Sequence, residues 1–248
     1  MKKIIANTIT GAVVFLIWEF SSRLELVDPT LLPPASNVFI NLGHELVTPD
    51  FLLHIGATLR LMLGGFLLAI IIGVPLGMFM GLNRKVDSLL LFYVDFIRSL
   101  PAAALIPMYL VLFQGQIARI LVIGTACGVI MAIGSRSGVL NMNPTRKEVA
   151  TLLGWKPYEL FKKLLLWETI SEVLLSARIA LSTSLILATV IEMLLGARYG
   201  LGDVLINSMP TDKPRMYAVI IILGILGYLL NMLFKIIELW LKRIGLYK

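Results

Sequence analysis

Asp95, Arg98 and Glu192 are among the ionisable residues that lie within long apolar stretches of the sequence, where a charge is costly. Asp95 and Arg98 are three residues apart, so on a helix they share a face and can neutralise each other. Ionisable groups inside a membrane commonly face a water-filled cavity or a solute pathway. The pair has a second reading as a self-neutralised ion pair near a membrane interface. Glu192 likewise could line a pathway or anchor a helix end at an interface.

Prolines and hydroxyl groups accompany these charges. Pro101 and Pro107 interrupt the stretch that holds Asp95 and Arg98, and each proline removes a backbone N–H, which leaves carbonyl groups in need of other partners. We therefore expect a kinked wall that could line a pathway. Ser184 belongs to a stripe of small residues in a later stretch, and its hydroxyl could face the same pathway or bond the carbonyl one turn earlier.

No grouping in the sequence predicts catalysis. Asp95, Glu192 and Cys127 stand apart from one another, whereas a catalytic or metal site needs a cluster of such groups. No phosphate loop of the G-x-x-x-x-G-K-[ST] type occurs. We expect no catalytic residue, no metal site and no cofactor, and His44 and His54 are interpreted as surface or interface residues.

The long polar-rich interval of the chain is 143–167, NPTRKEVATLLGWKPYELFKKLLLW. Thr145 and Glu148 have the spacing of a capping box, which predicts a short helix over Arg146–Leu153. Gly154 follows, and glycine is the residue that most readily takes the left-handed conformation ending a helix.

A second helix is expected to open at Pro157, since proline fits the first turn. Leu160 and Phe161 fall on one face of it, together with Leu164 and Leu165. The interval thus forms a compact helix–glycine–helix elbow. It could dock on another protein, or it could lie as an amphipathic loop on the bilayer surface.

The composition is that of a membrane protein, with 58% hydrophobic residues, 15% charged residues and a mean hydropathy of +0.90. The net charge of +7 does not predict nucleic-acid binding, because the basic residues lie at the ends of apolar blocks. We expect one membrane domain over residues 1–248, an all-α helix bundle with six spans. The predicted spans are 4–20, 59–80, 89–113, 117–135, 173–195 and 216–237.

Most basic residues outside these spans fall on one side if the N-terminus is cytoplasmic. The positive-inside rule then places both termini and the interval 143–167 in the cytoplasm. Lys2 and Lys3 precede the first span, and no small-residue cleavage site follows it, so we expect a retained anchor.

The interval resembles the EAA loop of ABC-importer permeases, with the pattern E-A-A, three residues, G, nine residues, I-x-L-P. Here Glu148, Val149 and Ala150 are followed after three residues by Gly154 and after nine more by LLLW. Val149 replaces an alanine, and Trp167 replaces the proline. We call residues 143–167 the coupling segment, because the family's loop docks in a groove of a cytoplasmic ATPase.

Other strings resemble the sulfonate, nitrate and taurine branch of these permeases: LLPPASNVFINL, IRSLPAAALIPMYLVLFQG and RIALSTSLILATVIEMLLGARYGLGDVLINS. In the last string Glu192 falls on the family's glutamate, and residues 200–202 fall on its G-L-G. The resemblance implies a type I ABC importer permease fold in the inner membrane. It also implies two permease copies, cytoplasmic ABC ATPase subunits that contact Glu148, Val149, Ala150, Gly154, Leu160 and Phe161, and an external substrate-binding protein.

The function predicted from this resemblance is import of a small solute, by default an organic or inorganic anion, with ATP hydrolysed by a separate chain. The alternative is a secondary transporter or channel-like protein without an ATPase. That class usually shows internal repeats with broken helices in matching positions, and the sequence shows no second copy of the 89–113 pattern.

Overall fold

The computed structural model of the chain describes residues 2–160, 164–196 and 198–243, and the elements described there are helical. The all-α expectation is confirmed. The helices are α1 (Lys2–Arg23), α2 (Ala35–Val47), α3 (Pro49–Leu82), α4 (Arg84–Ser99), α5 (Ile106–Leu112), α6 (Gly115–Leu140), α7 (Pro144–Leu152), α8 (Pro157–Leu160), α9 (Leu166–Leu195), α10 (Leu201–Ser208) and α11 (Lys213–Arg243), with a 3₁₀ turn at Ala102–Leu105.

Four of the described helices are long and apolar enough to cross a membrane: α3, α6, α9 and α11. Each contains one predicted span and is longer than it, the spans being 59–80, 117–135, 173–195 and 216–237. α1 coincides with the predicted span 4–20, and its crossing stays a prediction.

The predicted span 89–113 is broken rather than kinked. α4 and the stretch Ala102–Leu112 are apolar and long enough to cross a membrane only if they are taken together. Their axes meet at a bend of 99°. Leu100, the residue before Pro101, is extended at φ −75° and ψ 136°, as a residue preceding proline prefers. The described residues therefore contain four helices that are long and apolar enough to cross a membrane, or five candidates if the bent pair counts as one, so the expectation of six spans is not confirmed.

The chain divides into two compact units, Met1–Thr58 with Glu192–Leu226, and Leu59–Ile191 with Gly227–Lys248. In the first unit the carboxylate of Glu19 on α1 accepts the N–H and the O–H of Ser36, both at 2.9 Å. Ser36 lies in the first turn of α2, which begins at Ala35, and the α1 carboxylate takes up one of the free amides of that turn. Trp18 adds a hydrogen bond from Nε1 to the Pro33 carbonyl at 3.0 Å.

The apolar core of the first unit joins α3, α10 and α11. Its buried members are Phe51, Leu201, Val204, Val219 and Ile222. Leu42 of α2 packs against the same cluster. α10 thus buries its apolar face within this unit.

Glycines set the packing of α3 against α6 in the second unit. A Cβ added at Gly73 would lie 2.4 Å from the Gly128 oxygen, and one at Gly77 would lie 2.0 Å from the Ala132 oxygen. A Cβ added at Gly81 would likewise lie 2.6 Å from the Val139 Cβ. Small residues let membrane helices approach closely, and this glycine stripe lets α3 pack directly on α6.

Candidate functional site

The coupling segment is a helix–turn–helix in the structure, with residues 161–163, and so Phe161, outside the described part. α7 begins at Pro144, and the Asn143 side chain accepts the Thr145 N–H at 3.0 Å. The predicted capping by Thr145 is therefore wrong: the helix starts two residues earlier than predicted, and Asn143 satisfies the free amide. Gly154 has φ +71°, the left-handed conformation predicted for it.

After the turn, α8 opens at Pro157 as predicted. The Glu159 carboxylate reaches back to the Lys156 N–H at 3.1 Å, which supplies the return bond of a capping box at this second helix. Leu160 is half-buried. The turn is thus held by local hydrogen bonds on both sides of Gly154.

The outward face of the coupling segment is apolar. Leu152 is 87% exposed, and Val149, Leu153 and Tyr158 are also exposed. Glu148 lies exposed beside them. An exposed apolar face of this kind is typical of a surface that contacts another protein or the bilayer surface.

The opposite side of the segment is anchored to the second unit. Ala150 is buried, and Arg146 forms a salt bridge with Glu168 in the first turn of α9. A pocket of about 180 Å³ opens beside α7, with Val149, Leu153 and Leu164 among its lining residues. The segment is therefore fixed to the end of a membrane helix while its apolar face stays open.

The bend between α4 and the 3₁₀ turn holds the predicted pair. Arg98 Nη2 lies 3.7 Å from Asp95 Oδ1, and their side chains are 60% and 50% exposed. This separation is longer than a hydrogen bond, so the guanidinium keeps donors for another ligand. Pro101 stands at the break, and Pro107 lies in the first turn of α5.

A cavity of about 200 Å³ lies at this bend. Arg98 is its one charged lining residue, and Thr183 of α9 is its one hydroxyl. The Thr183 hydroxyl donates to the Ile179 carbonyl at 3.0 Å. The remaining walls are aliphatic: Ile97, Leu100, Ala102, Leu105, Ala126, Val129 and Ile130.

Ser184 and Glu192, the other predicted pathway residues, are both buried. Ser184 lies on the packed face of α9, and its hydroxyl donates to the Leu181 carbonyl at 2.7 Å. Glu192 is 1% exposed, and one carboxylate oxygen accepts the Thr58 hydroxyl at 2.9 Å and the Gly202 N–H at 3.0 Å. Ser184 is therefore not among the described lining residues of the cavity at the bend, and Glu192 is bonded within the first unit.

Sequence reasoning missed two polar pairs in the second unit. Arg136 near the end of α6 donates to both carboxylate oxygens of Asp87 on α4, at 2.5 and 2.7 Å. Arg178, exposed midway along α9, donates its Nε–H to Asn231 on α11 at 3.0 Å. An arginine within the predicted span 173–195 was the signal for the second pair.

Sequence and fold comparisons agree on the class of this chain. Residues 73–243 match the family described as binding-protein-dependent transport system inner membrane component. The taurine transport system permease of Escherichia coli is 26% identical over 90% of this chain and 83% of its own. The formylaminopyrimidine transport permease of Halalkalibacterium halodurans is 29% identical over 90% and 88%.

The bicarbonate transport system permease of Synechococcus elongatus is 27% identical over 75% of this chain and 68% of its own. The fold is shared with the inward-facing MetNI methionine ABC transporter, at a TM-score of 0.65 and 22% identity over 76% of this chain and 96% of that one. The resemblance to ABC permeases is confirmed, and the secondary-transporter alternative gains no support from any match. The chain belongs to the binding-protein-dependent transport system inner membrane components, the multi-pass permease subunits of ABC importers.

Proposed function

We propose that two copies of this chain form the solute pathway of an importer, with cytoplasmic ATPase subunits docked on the coupling segments. The observation that carries the proposal is the open apolar face of Val149, Leu152, Leu153 and Tyr158 around a positive-φ glycine. Glu148 adds one charge to that face. An external binding protein delivers the solute, six helices including α1 cross the membrane, and both termini are cytoplasmic.

Pairing of two copies is supported by the exposed side of α9. Leu175, Ile179 and Ile186 are exposed there, and Arg178 is exposed beside them in the middle of a membrane helix. A guanidinium is costly against lipid chains, so this side fits a second protein chain or a water-filled pathway better than lipid.

The transported solute is an anion that binds transiently at the bend between α4 and the 3₁₀ turn. Arg98 is the one charged residue of the cavity there, and its donors are not consumed by Asp95. Pro101 and Pro107 shape the wall by breaking the helix. Two of the matched relatives are named for taurine and bicarbonate transport, which supports an anionic head group.

Docking is tested by cross-linking. In a Cys127→Ser background, Leu152→Cys should cross-link to an ATPase subunit in membranes, and the exposed Asn207→Cys should not. The reverse pattern, with only Asn207→Cys reaching an ATPase, would contradict both the docking surface and the predicted orientation.

The anion proposal is tested by uptake of labelled taurine and labelled bicarbonate into vesicles that hold the complex. Arg98→Gln should raise the half-saturating solute concentration, whereas the exposed Arg84→Gln should not. Equal uptake kinetics in wild type and Arg98→Gln would remove Arg98 from the pathway.

A further inference from the structure

The amino end of α10 is held by three side chains from two other helices of the first unit. The Gly200 N–H donates to His54 Nδ1 at 3.0 Å, and the Leu201 N–H donates to the Thr58 hydroxyl at 2.8 Å. The Gly202 N–H donates to Glu192 at 3.0 Å. Three successive amides that a helix leaves free at its start thus each receive an acceptor. We call this group the α10 clamp.

The clamp is buried and internally connected. Thr58 is fully buried, Glu192 is 1% exposed and His54 is 8% exposed. The Thr58 hydroxyl also donates to Glu192 at 2.9 Å, so two of the three acceptors are linked. Sequence analysis interpreted His54 as a surface or interface residue, and its burial corrects that interpretation.

Gly200 makes the clamp possible by its lack of a side chain. A Cβ at this position would lie 2.5 Å from the Glu192 carboxyl carbon, closer than non-bonded atoms approach. Its φ of 163° is extended backbone, so close approach and not an unusual conformation requires glycine here. The G-L-G sequence and Glu192 therefore both form part of the α10 clamp.

A tightly held α10 fixes the exposed residues that follow it. Leu201 and Val204 already hold the apolar face of α10 in the core with Phe51 and Val219. Beyond α10, Met209, Pro210 and Thr211 are exposed between α10 and α11. With the apolar face and the amino end both held, this exposed turn has a defined position.

We infer that His54, Thr58 and Glu192 are positioning residues of the transport cycle: they hold α10 as a rigid seat for the loaded external binding protein. This inference rests on the proposed function and deepens it. It assigns Glu192 an action through α10, without contact to the solute. The Glu192 carboxyl group accepts the Thr58 O–H and the Gly202 N–H, so its polar side chain is satisfied at this buried position.

The test compares Thr58→Val with Thr58→Ser in the complex of permease and ATPase in lipid nanodiscs. Valine keeps the shape of threonine and loses the hydroxyl, whereas serine keeps both hydrogen bonds. Thr48→Val is the matched control, because among the described contacts the Thr48 hydroxyl bonds only the His44 carbonyl of the preceding helix α2.

The first measurement is hydrogen exchange at residues 200–204. Thr58→Val should speed exchange there about tenfold, the change that loss of one hydrogen bond of ordinary net strength produces, and Thr58→Ser should restore protection. The second measurement is stimulation of ATP hydrolysis by the loaded binding protein captured on the wild-type complex. Thr58→Val should raise its half-maximal concentration by a similar factor while basal hydrolysis and the maximal rate stay unchanged.

Each outcome decides a separate point. Faster exchange in Thr58→Val with an unchanged half-maximal concentration would overturn the positioning role. Unchanged exchange would overturn the clamp itself. A wild-type complex that no loaded binding protein stimulates would overturn the proposed function, and this inference with it.

Discussion

The coupling segment and the α10 clamp solve the same local problem, how to end or begin a short helix, by opposite means. In the coupling segment the turn depends on local backbone and near neighbours: Asn143, Gly154 and Glu159 act within a few residues of where they stand. In the clamp, α10 is held by His54 and Thr58, more than 140 residues earlier in the chain. The first arrangement leaves a face open for a partner, and the second leaves almost no polar group exposed.

The two regions differ in which of their groups remain available for contacts with a partner. The coupling segment has apolar groups that remain uncovered, so its free energy of interaction is available to a docked protein. The clamp has already used its polar groups internally, and an unpaired buried group there would be costly. Changes on the exposed face of the first region should therefore alter function with little loss of stability, whereas changes in the second should alter function through a loss of stability.

Gly154→Val should have the largest effect on transport. A β-branched residue strongly disfavours the positive φ at this turn, at a cost of about 1–3 kcal/mol, so the chain would re-aim α8. We expect solute uptake to fall more than about tenfold while the protein still inserts. Gly154→Asn is the matched variant, since asparagine tolerates this conformation, and it should keep most of the uptake. Equal uptake in the two variants would contradict the conformational reason.

Glu148→Lys should also reduce uptake, but without a change of fold. The residue is exposed, and surface substitutions usually shift the free energy of unfolding by less than about 0.5 kcal/mol. The expected signature is a complex of normal thermal stability whose ATP hydrolysis the loaded binding protein no longer stimulates. The exposed Glu25→Lys controls for the charge reversal. Normal uptake in Glu148→Lys would remove this residue from the docking face.

Gly200→Ala should destabilise the buried α10 clamp. Here the added methyl group meets the Glu192 carboxyl group at 2.5 Å, whereas at Gly154 it meets nothing within 4 Å. Overpacking of this kind costs about 1–3 kcal/mol, so the melting temperature of the purified chain should fall by several degrees. An unchanged melting temperature in Gly200→Ala would show that the clamp accommodates the added methyl group, and it would contradict the expected overpacking.

The two regions also differ in how far the sequence predicts them. The elbow, the positive φ of Gly154 and the helix opening at Pro157 follow from short-range rules, and the structure agrees with each. The clamp could not be derived this way, because nothing near Thr58 in the sequence indicates that its hydroxyl meets Leu201. The resemblance placed Glu192 and the G-L-G on family positions, but only the fold shows that they touch.

The same limit applies to the membrane helices. Apolar length located the four long apolar helices α3, α6, α9 and α11, and proline spacing located the disturbance at Pro101. The size of the bend, 99°, depends on how the following turn packs on α6, which composition does not report. The ion pair between Arg136 and Asp87 likewise could not be predicted from the sequence, since 49 residues separate them.

The smallest expected effect tests the one local rule that failed. Thr145 fits the capping box by spacing, yet α7 starts at Pro144 and Asn143 accepts the free amide at 3.0 Å. Asn143→Ala should therefore destabilise α7 by about 1 kcal/mol, the usual cost of losing a helix cap, and Thr145→Ala should cost only a few tenths. Hydrogen exchange of residues 145–150 measures both, because fraying at the start of α7 exposes these amides first. Faster exchange in Thr145→Ala than in Asn143→Ala would restore the capping box and move the start of the helix. The reverse order would show that proline at the first helical position overrides the T-x-x-E spacing, since it fixes the backbone one residue before the threonine can act.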